Sequence, residues 1–122
     1  MKLHHGCNDP AVVLSAIAAS KRGGIGGLAG DFHVAPKAVV AHNYGKYVIK
    51  FLMAADVVGA DVGLINRNSN FNAAVGNEVE VVMRDEKSRV DFASKVIGAE
   101  VSCPDGRVAM IDVESGLIRE VA

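Results

Sequence analysis

The segment from Asn8 to Gly23 defines one secondary structure element of this chain at both ends. Asp9 can accept a hydrogen bond from a free amide of a helix, and Pro10 after it suits the first helical position. Between Pro10 and Arg22 the chain is apolar on most of a helical circumference, and Gly23 can adopt the left-handed conformation that ends a helix. The sequence therefore predicts a buried helix from Pro10 to Arg22.

The rest of the chain carries a mixture of strand-like and helix-like patterns. A short strand is expected around Leu3, and β-favouring residues on either side of Pro36 predict an interrupted strand over residues 31–40. The later elements are a helix over 44–58, strands over 61–66 and 78–84, and a short helix that Asp85 caps and that extends to residue 97. A hairpin follows. Its strands, 107–113 and 117–121, flank the three-residue loop Glu114-Ser115-Gly116.

This order of elements predicts the fold class. Helices and strands alternate early in the chain and antiparallel pairing is expected late, which indicates an α/β or α+β protein. We expect a single-layer mixed sheet covered by about three helices and ending in a C-terminal β-hairpin. A length of 122 residues predicts one globular domain over 1–122.

The composition predicts a homo-oligomer. Half of the residues are hydrophobic, but the chain has no Trp, two Tyr and four Phe, so its core depends on small and β-branched side chains. Such a core buries little area per residue. Burial between subunits would add to the stabilisation that the core supplies.

The charge pattern bears on partners and compartment. Thirteen basic residues face fourteen acidic ones, and no basic block occurs, so we expect neither nucleic acid nor membrane as a partner. The apolar runs are too short to span a bilayer, and the first five residues do not open a signal peptide. Cys7 and Cys103 lack C-x-x-C spacing and suit free thiols in a reducing compartment. The sequence therefore predicts a cytoplasmic protein.

Histidines and one thiol concentrate near the start of the chain, where catalysis would be sought. Cys7 lies just ahead of the predicted helix, whose N-terminus would lower its pKa and favour the nucleophilic thiolate. His5, His33 or His42 could supply the base. The alternative is a small buried packing residue at Cys7. No reaction and no cofactor follow from these residues, so whether the chain is an enzyme is left open.

A metal site is the second use that the histidines suggest. His4 and His5 are adjacent, and on a strand they point to opposite faces, so only one of them can join His33 and His42 in a three-histidine site. The spacing does not demand such a site. We therefore assign no metal ligands, and surface or hydrogen-bonded histidines are the alternative.

Two further segments are candidate ligand sites. Gly24, Gly26 and Gly27 could present backbone amides to a phosphate or another anion, although the run follows a helix end and lacks the known nucleotide-binding spacings. A plain connecting loop or a mobile lid are the alternatives. The second segment has asparagine at alternate positions, and its side-chain amides and one guanidinium would suit a polar or anionic ligand. Its candidate ligand residues are Asn66, Arg67, Asn68 and Asn70. The alternative is an irregular loop.

One resemblance suggests a different class of function. The Ala- and Val-rich segment 53–65, MAADVVGADVGLI, and the strand and helix expected over 78–97 resemble the helix–strand–strand–helix core of bacterial microcompartment shell subunits. The resemblance covers under half of the chain and implies a non-enzymatic, self-assembling module. The leading hypothesis remains a small cytoplasmic oligomer that binds a small polar or anionic ligand, with Cys7 and a histidine as its candidate catalytic groups.

Overall fold

The structure, a computed structural model, describes residues 3–54 and 81–121. Within these ranges the chain forms seven strands, three helices and one 3₁₀ turn. In chain order they are β1 (Leu3–Cys7), α1 (Pro10–Arg22), β2 (Phe32–Val34), α2 (Ala38–Ala41), the 3₁₀ turn (His42–Tyr44), β3 (Tyr47–Met53), β4 (Val81–Met83), α3 (Glu86–Lys95), β5 (Val96–Ser102), β6 (Val108–Asp112) and β7 (Arg119–Val121).

Helix α1 has the predicted bounds and the predicted caps. The Val12 amide donates to Asp9 Oδ1 over 3.3 Å, and Pro10 occupies the first turn. Gly23 ends the helix with a φ of 67°, in the left-handed region. Asp85 caps α3 in the same way, because its Oδ1 accepts from the Ser88 amide over 2.7 Å.

The main sheet has five strands in the order β1-β3-β5-β6-β7, and each of its neighbouring pairs is antiparallel. Strands β2 and β4 form a second antiparallel pair. Two backbone hydrogen bonds between His4 and Ala35, of 2.7 and 2.8 Å, join the end of β2 to β1. The predicted fold class is confirmed, and the antiparallel pairing places the chain on its α+β side.

Three element predictions were wrong. Residues 47–53 of the predicted helix 44–58 form strand β3, because a strand covered on both faces is apolar at almost every position and imitates a helical pattern. Residues 38–41 form α2 instead of continuing a strand. Helix α3 ends at Lys95, and the next seven residues form β5, a strand that the sequence analysis missed. Residues 55–58 of that predicted helix and the strand predicted over 61–66 lie outside the described residues.

The C-terminal hairpin is confirmed, but its loop is longer than predicted. Asp112 pairs with Arg119, so residues 113–118 connect the strands instead of 114–116 alone. Gly116 has a φ of 80°, and the Arg22 guanidinium donates to its carbonyl. A contact with α1 therefore helps to shape this loop.

The core lies between the inner face of the main sheet and helices α1 and α3. Phe51 from β3 meets Phe92 from α3 edge to face at 5.1 Å, and Phe32 packs beside both at 6.2 and 5.9 Å. Leu14 and Ile17 of α1 complete this cluster. Three of the four phenylalanines therefore meet in a core otherwise made of smaller side chains.

Helix α1 is also fastened to the end of α3. Lys21 Nζ donates to the carbonyl oxygens of Ala93, Ser94 and Val96 over 3.2, 3.4 and 2.6 Å. These carbonyls lie at the C-terminal end of α3, where a cation is favoured. Burial lowers the pKa of Lys21, and the nearby carboxylate of Glu114 opposes that shift. Neither α1 nor any other helix in the described ranges is long and apolar enough to cross a membrane.

Helix α2 and the 3₁₀ turn pack against the opposite, outer face of β1 and β3. Val40, Ala41 and Val48 are buried there. Gly6 permits this close approach, because a Cβ at this position would lie 1.7 Å from the Ala41 carbonyl oxygen and 3.2 Å from Tyr44 Cβ. The outer layer thus rests directly on the backbone of β1.

We expect Gly6→Ala to destabilise the protein strongly. The added methyl group collides with backbone that cannot yield like a flexible side chain, so we expect a loss of about 3 kcal/mol in the free energy of unfolding, at the upper end of overpacking costs. Gly24→Ala is the matched control, since its Cβ would meet only the Ala19 carbonyl oxygen at 3.8 Å. Urea denaturation followed by circular dichroism measures both variants. Equal midpoints would contradict the packing described here.

Candidate functional site

Four side chains form a row across one end of the main sheet on its inner face. Cys7 pairs with Tyr47 across β1 and β3. The register of β3, β5 and β6 continues the row to Cys103 and then Arg107, and the Cys103 amide donates to the Arg107 carbonyl over 2.8 Å. Sulfur, phenol, sulfur and guanidinium groups therefore follow one another beside the start of α1.

A tight turn places Arg107 opposite Cys103. Pro104-Asp105-Gly106 is a typical turn sequence, and Gly106 adopts a φ of 88°. The Gly106 amide donates to the Cys103 carbonyl over 3.0 Å, and the Arg107 amide donates to Asp105 Oδ1 over 2.9 Å. Arg107 Nη2 then lies 3.7 Å from Cys103 Sγ, within reach of a weak hydrogen bond.

Between the first turns of α1 and strands β5, β6 and β7 lies a cavity of about 440 Å³, which we call the α1 groove. It has an apolar floor and a polar border. The apolar residues include Leu14, Val101, Ala109, Ile111 and Ile118; the polar ones are Asn8, Asp9, Ser15, Tyr47, Cys103, Arg107 and Glu120. A larger hollow of about 640 Å³ beside loop 113–118 is lined largely by that exposed loop, so we regard the α1 groove as the better candidate site.

Arg107 supplies the positive charge on the border of this groove. Its guanidinium is fully exposed, and the Cys103 sulfur raises its pKa, followed by the negative charges of Asp105 and, more weakly, Glu120. Asp9, on the α1 side, uses its carboxylate to cap the helix. The groove thus has one cation and two carboxylates on its border.

The pKa shift expected for Cys7 was wrong in direction. Burial raises the pKa of the Cys7 thiol, and the carboxylate of Asp9 acts in the same sense, while a hydrogen bond from the Asp9 backbone opposes them. The N-terminus of α1 offers fewer free amides to a Cys7 thiolate than predicted, because Pro10 has no amide hydrogen and the Val12 amide is bound to Asp9. Cys7 packs at the edge of the core as a half-buried thiol.

The candidate histidines lie on different faces of the sheet. His5 lies on the inner face, where its ring stacks on Phe32 at 4.4 Å and its Nδ1 donates to the His33 carbonyl over 2.6 Å. Burial lowers the pKa of His5. The His33 ring stacks on Tyr44 at 5.6 Å, over the outer face, and His42 is exposed in the 3₁₀ turn.

The structure therefore does not gather His5, His33 and His42 around Cys7. Only His5 shares the inner face of β1 with the thiol. In the ranges that the structure describes, no three His, Cys, Asp or Glu side chains are grouped to hold a metal ion.

The glycine-rich run folds back along α1. The amide of Gly24 donates to the Ala19 carbonyl over 2.9 Å, and the Leu28 amide donates to Ser20 Oγ over 2.9 Å. Arg89 fastens the far end of the run through the carbonyl oxygens of Leu28 and Gly30, at 3.2 and 2.7 Å.

Gly26 and Gly27 do not line the α1 groove but border a neighbouring shallow hollow, which shares Asp9, Ala11 and Ser15 with it. The Gly24 amide is already bound within the chain. An anion cradle at Gly24, Gly26 and Gly27 remains a prediction. Asn66, Arg67, Asn68 and Asn70 lie outside the described residues, and so does any contact between them and this groove.

Sequence analysis missed the residues that line the α1 groove. It assigned no role to Tyr47 or Arg107 and described Cys103 only as a free thiol. Pro104-Asp105-Gly106 was the available signal, because a turn there implies that Cys103 and Arg107 face each other across a hairpin. Recognising this hairpin required strand β5, whose first two residues fall within the predicted third helix and whose remaining residues received no element.

We expect Cys103 to react with iodoacetamide at least about threefold faster than Cys7 in the folded protein, because burial raises the pKa of the Cys7 thiol, whereas Cys103 has the Arg107 guanidinium 3.7 Å from its sulfur. Peptide mass spectrometry after timed labelling at neutral pH measures both rates. Arg107→Gln should slow the labelling of Cys103 without affecting Cys7, and urea should remove the difference. Equal or faster labelling of Cys7 in the native protein would contradict this expectation.

Comparisons with known proteins give no information on the function of the groove. No protein-family model, curated protein or solved structure significantly matches this chain. The resemblance to microcompartment shell subunits began at Met53, which ends strand β3 and lies in no helix. Residues 55–80, which carried much of that resemblance, are outside the described part of the chain. The α1 groove is therefore the basis of the functional proposal.

Proposed function

We propose that the protein binds a small anionic ligand in the α1 groove and works as a homo-oligomer in the cytoplasm. The observation that carries this proposal is the position of Arg107 on the border of a groove with an apolar floor. Free thiols at Cys7 and Cys103 support a reducing compartment.

The dimensions of the groove suit a small molecule. A volume of about 440 Å³ falls within the range of roughly 300–1,000 Å³ that is usual for ligand sites. Leu14, Val101 and Ile111 offer apolar contact, while Tyr47 and Ser15 add hydroxyl groups at fixed positions on a strand and a helix. An apolar floor with a few polar groups is typical of a binding site for a small organic molecule.

Arg107 supplies the preference for an anion. Its guanidinium has five N–H donors in a planar fork that matches a carboxylate or a phosphate. The sulfur of Cys103 is a weak acceptor and engages Nη2 at 3.7 Å. A carboxylate would therefore be a stronger partner for Arg107 than the sulfur beside it.

The groove supports binding better than it supports catalysis by Cys7. Burial raises the pKa of the Cys7 thiol, which disfavours the nucleophilic thiolate. His33 is on the outer face of the sheet and His42 is exposed. We therefore propose a ligand-binding protein and keep a Cys7–His5 reaction as a weaker hypothesis.

Hexanoate is a suitable probe, because it combines one carboxylate with an aliphatic chain that fits the apolar floor. We expect saturable binding with amide NMR shifts confined to the groove. Arg107→Gln should weaken it about tenfold, the usual effect of losing hydrogen bonds to a charged group. Lys87→Gln, an exposed change of the same charge on α3, should leave the affinity unchanged. Equal affinities for the wild type and Arg107→Gln would overturn the proposal.

A second candidate function is self-assembly, which the C-terminal hairpin favours. Several of its large apolar side chains are exposed, including Leu117 at 64% and Val108 at 56%. Strand β7 is an edge strand whose three residues are all exposed. Exposed apolar residues beside an unpaired strand edge are typical of surfaces that associate.

We expect a concentration-dependent oligomer in sedimentation velocity. The double substitution Val108→Lys and Val121→Lys should shift it towards the 12.7 kDa monomer, because lysine on an edge opposes strand association. Val12→Lys is the control, since Val12 is also an exposed valine but lies on α1, away from the hairpin. A wild-type protein that stays monomeric at all concentrations tested would exclude self-assembly.

A further inference from the structure

We propose that the ligand of the α1 groove is a zwitterion: a small amino acid whose carboxylate and ammonium groups are joined by an aliphatic chain. This inference rests on the proposed function, because it assigns a second charge to the same ligand. It follows from the position of Glu120 relative to Arg107.

Arg107 and Glu120 lie on the same face of the sheet at separate points of the groove. Glu120 pairs with Ile111 across β6 and β7. Every second residue of an extended chain lies on the same face, so Arg107, Ala109 and Ile111 share one face. Glu120, as the cross-strand partner of Ile111, lies on that face too, and both charged residues therefore face α1. Ile111 lies four residue steps along the extended chain from Arg107, which corresponds to about 13 Å between their Cα atoms.

The two charges attract each other without forming an ion pair. Glu120 is close enough to raise the pKa of Arg107, yet the described residues include no contact of 4.0 Å or less between the two side chains. Arg107 engages Cys103 instead. The groove therefore presents a cation and a carboxylate that one bridging molecule could engage at the same time.

A simple anion would satisfy only one end of this arrangement. Its carboxylate would bind Arg107, but Glu120 and Asp9 would add negative charge on the same border. An ammonium group on the ligand turns the repulsion by Glu120 into attraction. The aliphatic chain between the two groups would lie over Ala109 and Ile111.

Three compounds of matched length separate these contributions: 6-aminohexanoate carries both charges, hexanoate only the carboxylate and hexylamine only the ammonium group. Titrations followed by amide NMR shifts give the three affinities. We expect 6-aminohexanoate to bind about fivefold more tightly than either single-charge compound, as a partly screened ion pair contributes modestly.

Two variants of Glu120 assign the ammonium contact. Glu120→Gln should reduce the affinity for 6-aminohexanoate to that for hexanoate, and Glu120→Lys should make hexanoate the tighter ligand. Glu86→Gln, which removes an exposed carboxylate on α3, is the control and should keep the wild-type order. Because Glu120 is exposed on an edge strand, these changes leave the core intact, and the thermal midpoint checks this directly.

The outcomes distinguish this inference from the proposed function. Binding of hexanoate at least as tight as that of 6-aminohexanoate to the wild type would overturn the zwitterion and leave the anion site standing. A preference for 6-aminohexanoate that persists in Glu120→Gln would also overturn it. Failure of all three compounds to shift groove amides would overturn the proposed function as well.

Discussion

Burial of β3 on both faces is the constraint on which the rest of the fold depends. The strand pairs with β1 on one edge and β5 on the other. Its inner face meets α1 and α3 through Phe51, and α2 covers its outer face at Val48, where Gly6 of β1 lets the backbone of α2 approach. A strand without a free edge or a fully solvated face fixes the position of each element that touches it. The α1 groove follows from this arrangement, since α1 crosses the inner face and leaves β6 and β7 uncovered beside its first turns.

How far the fold could be predicted depended on the range of the interactions that determine each element. The bounds of α1 were predictable because Asp9 and Pro10 act on the first turn of the helix and Gly23 on its last turn. Strand β3 was not, because its pattern reflects burial by elements distant in the sequence. Strand β5 was missed for a related reason: Val96 continues the apolar spacing of α3, although the helix ends at Lys95. Capping residues identify the ends of a helix directly. An apolar run indicates burial but does not distinguish a buried helix from a buried strand.

The candidate site was less predictable than the fold, because its residues come from opposite ends of the chain. Asp9 and Arg107 border one groove although almost a hundred residues separate them. The early cluster of histidines suggested a single site, but alternation along β1 and β2 sends His5 and His33 to opposite faces. Cys7 shows the same limit for chemistry. A position before a helix suggests an activated thiol, yet burial and a neighbouring carboxylate decide its pKa.

Because β7 is short, one border of the α1 groove depends on a weakly held strand. This strand has three exposed residues and pairs with β6 alone, and such edges open locally at a lower free energy than global unfolding requires. When β7 separates from β6, Glu120 leaves the groove, and the charge that faces Arg107 goes with it. A ligand held by both charges, as we propose, would bind only the closed hairpin and would stabilise it by mass action. Ligand binding in the groove and pairing of β7 with β6 would then be thermodynamically linked, so the strength of the C-terminal pairing would set part of the ligand's affinity.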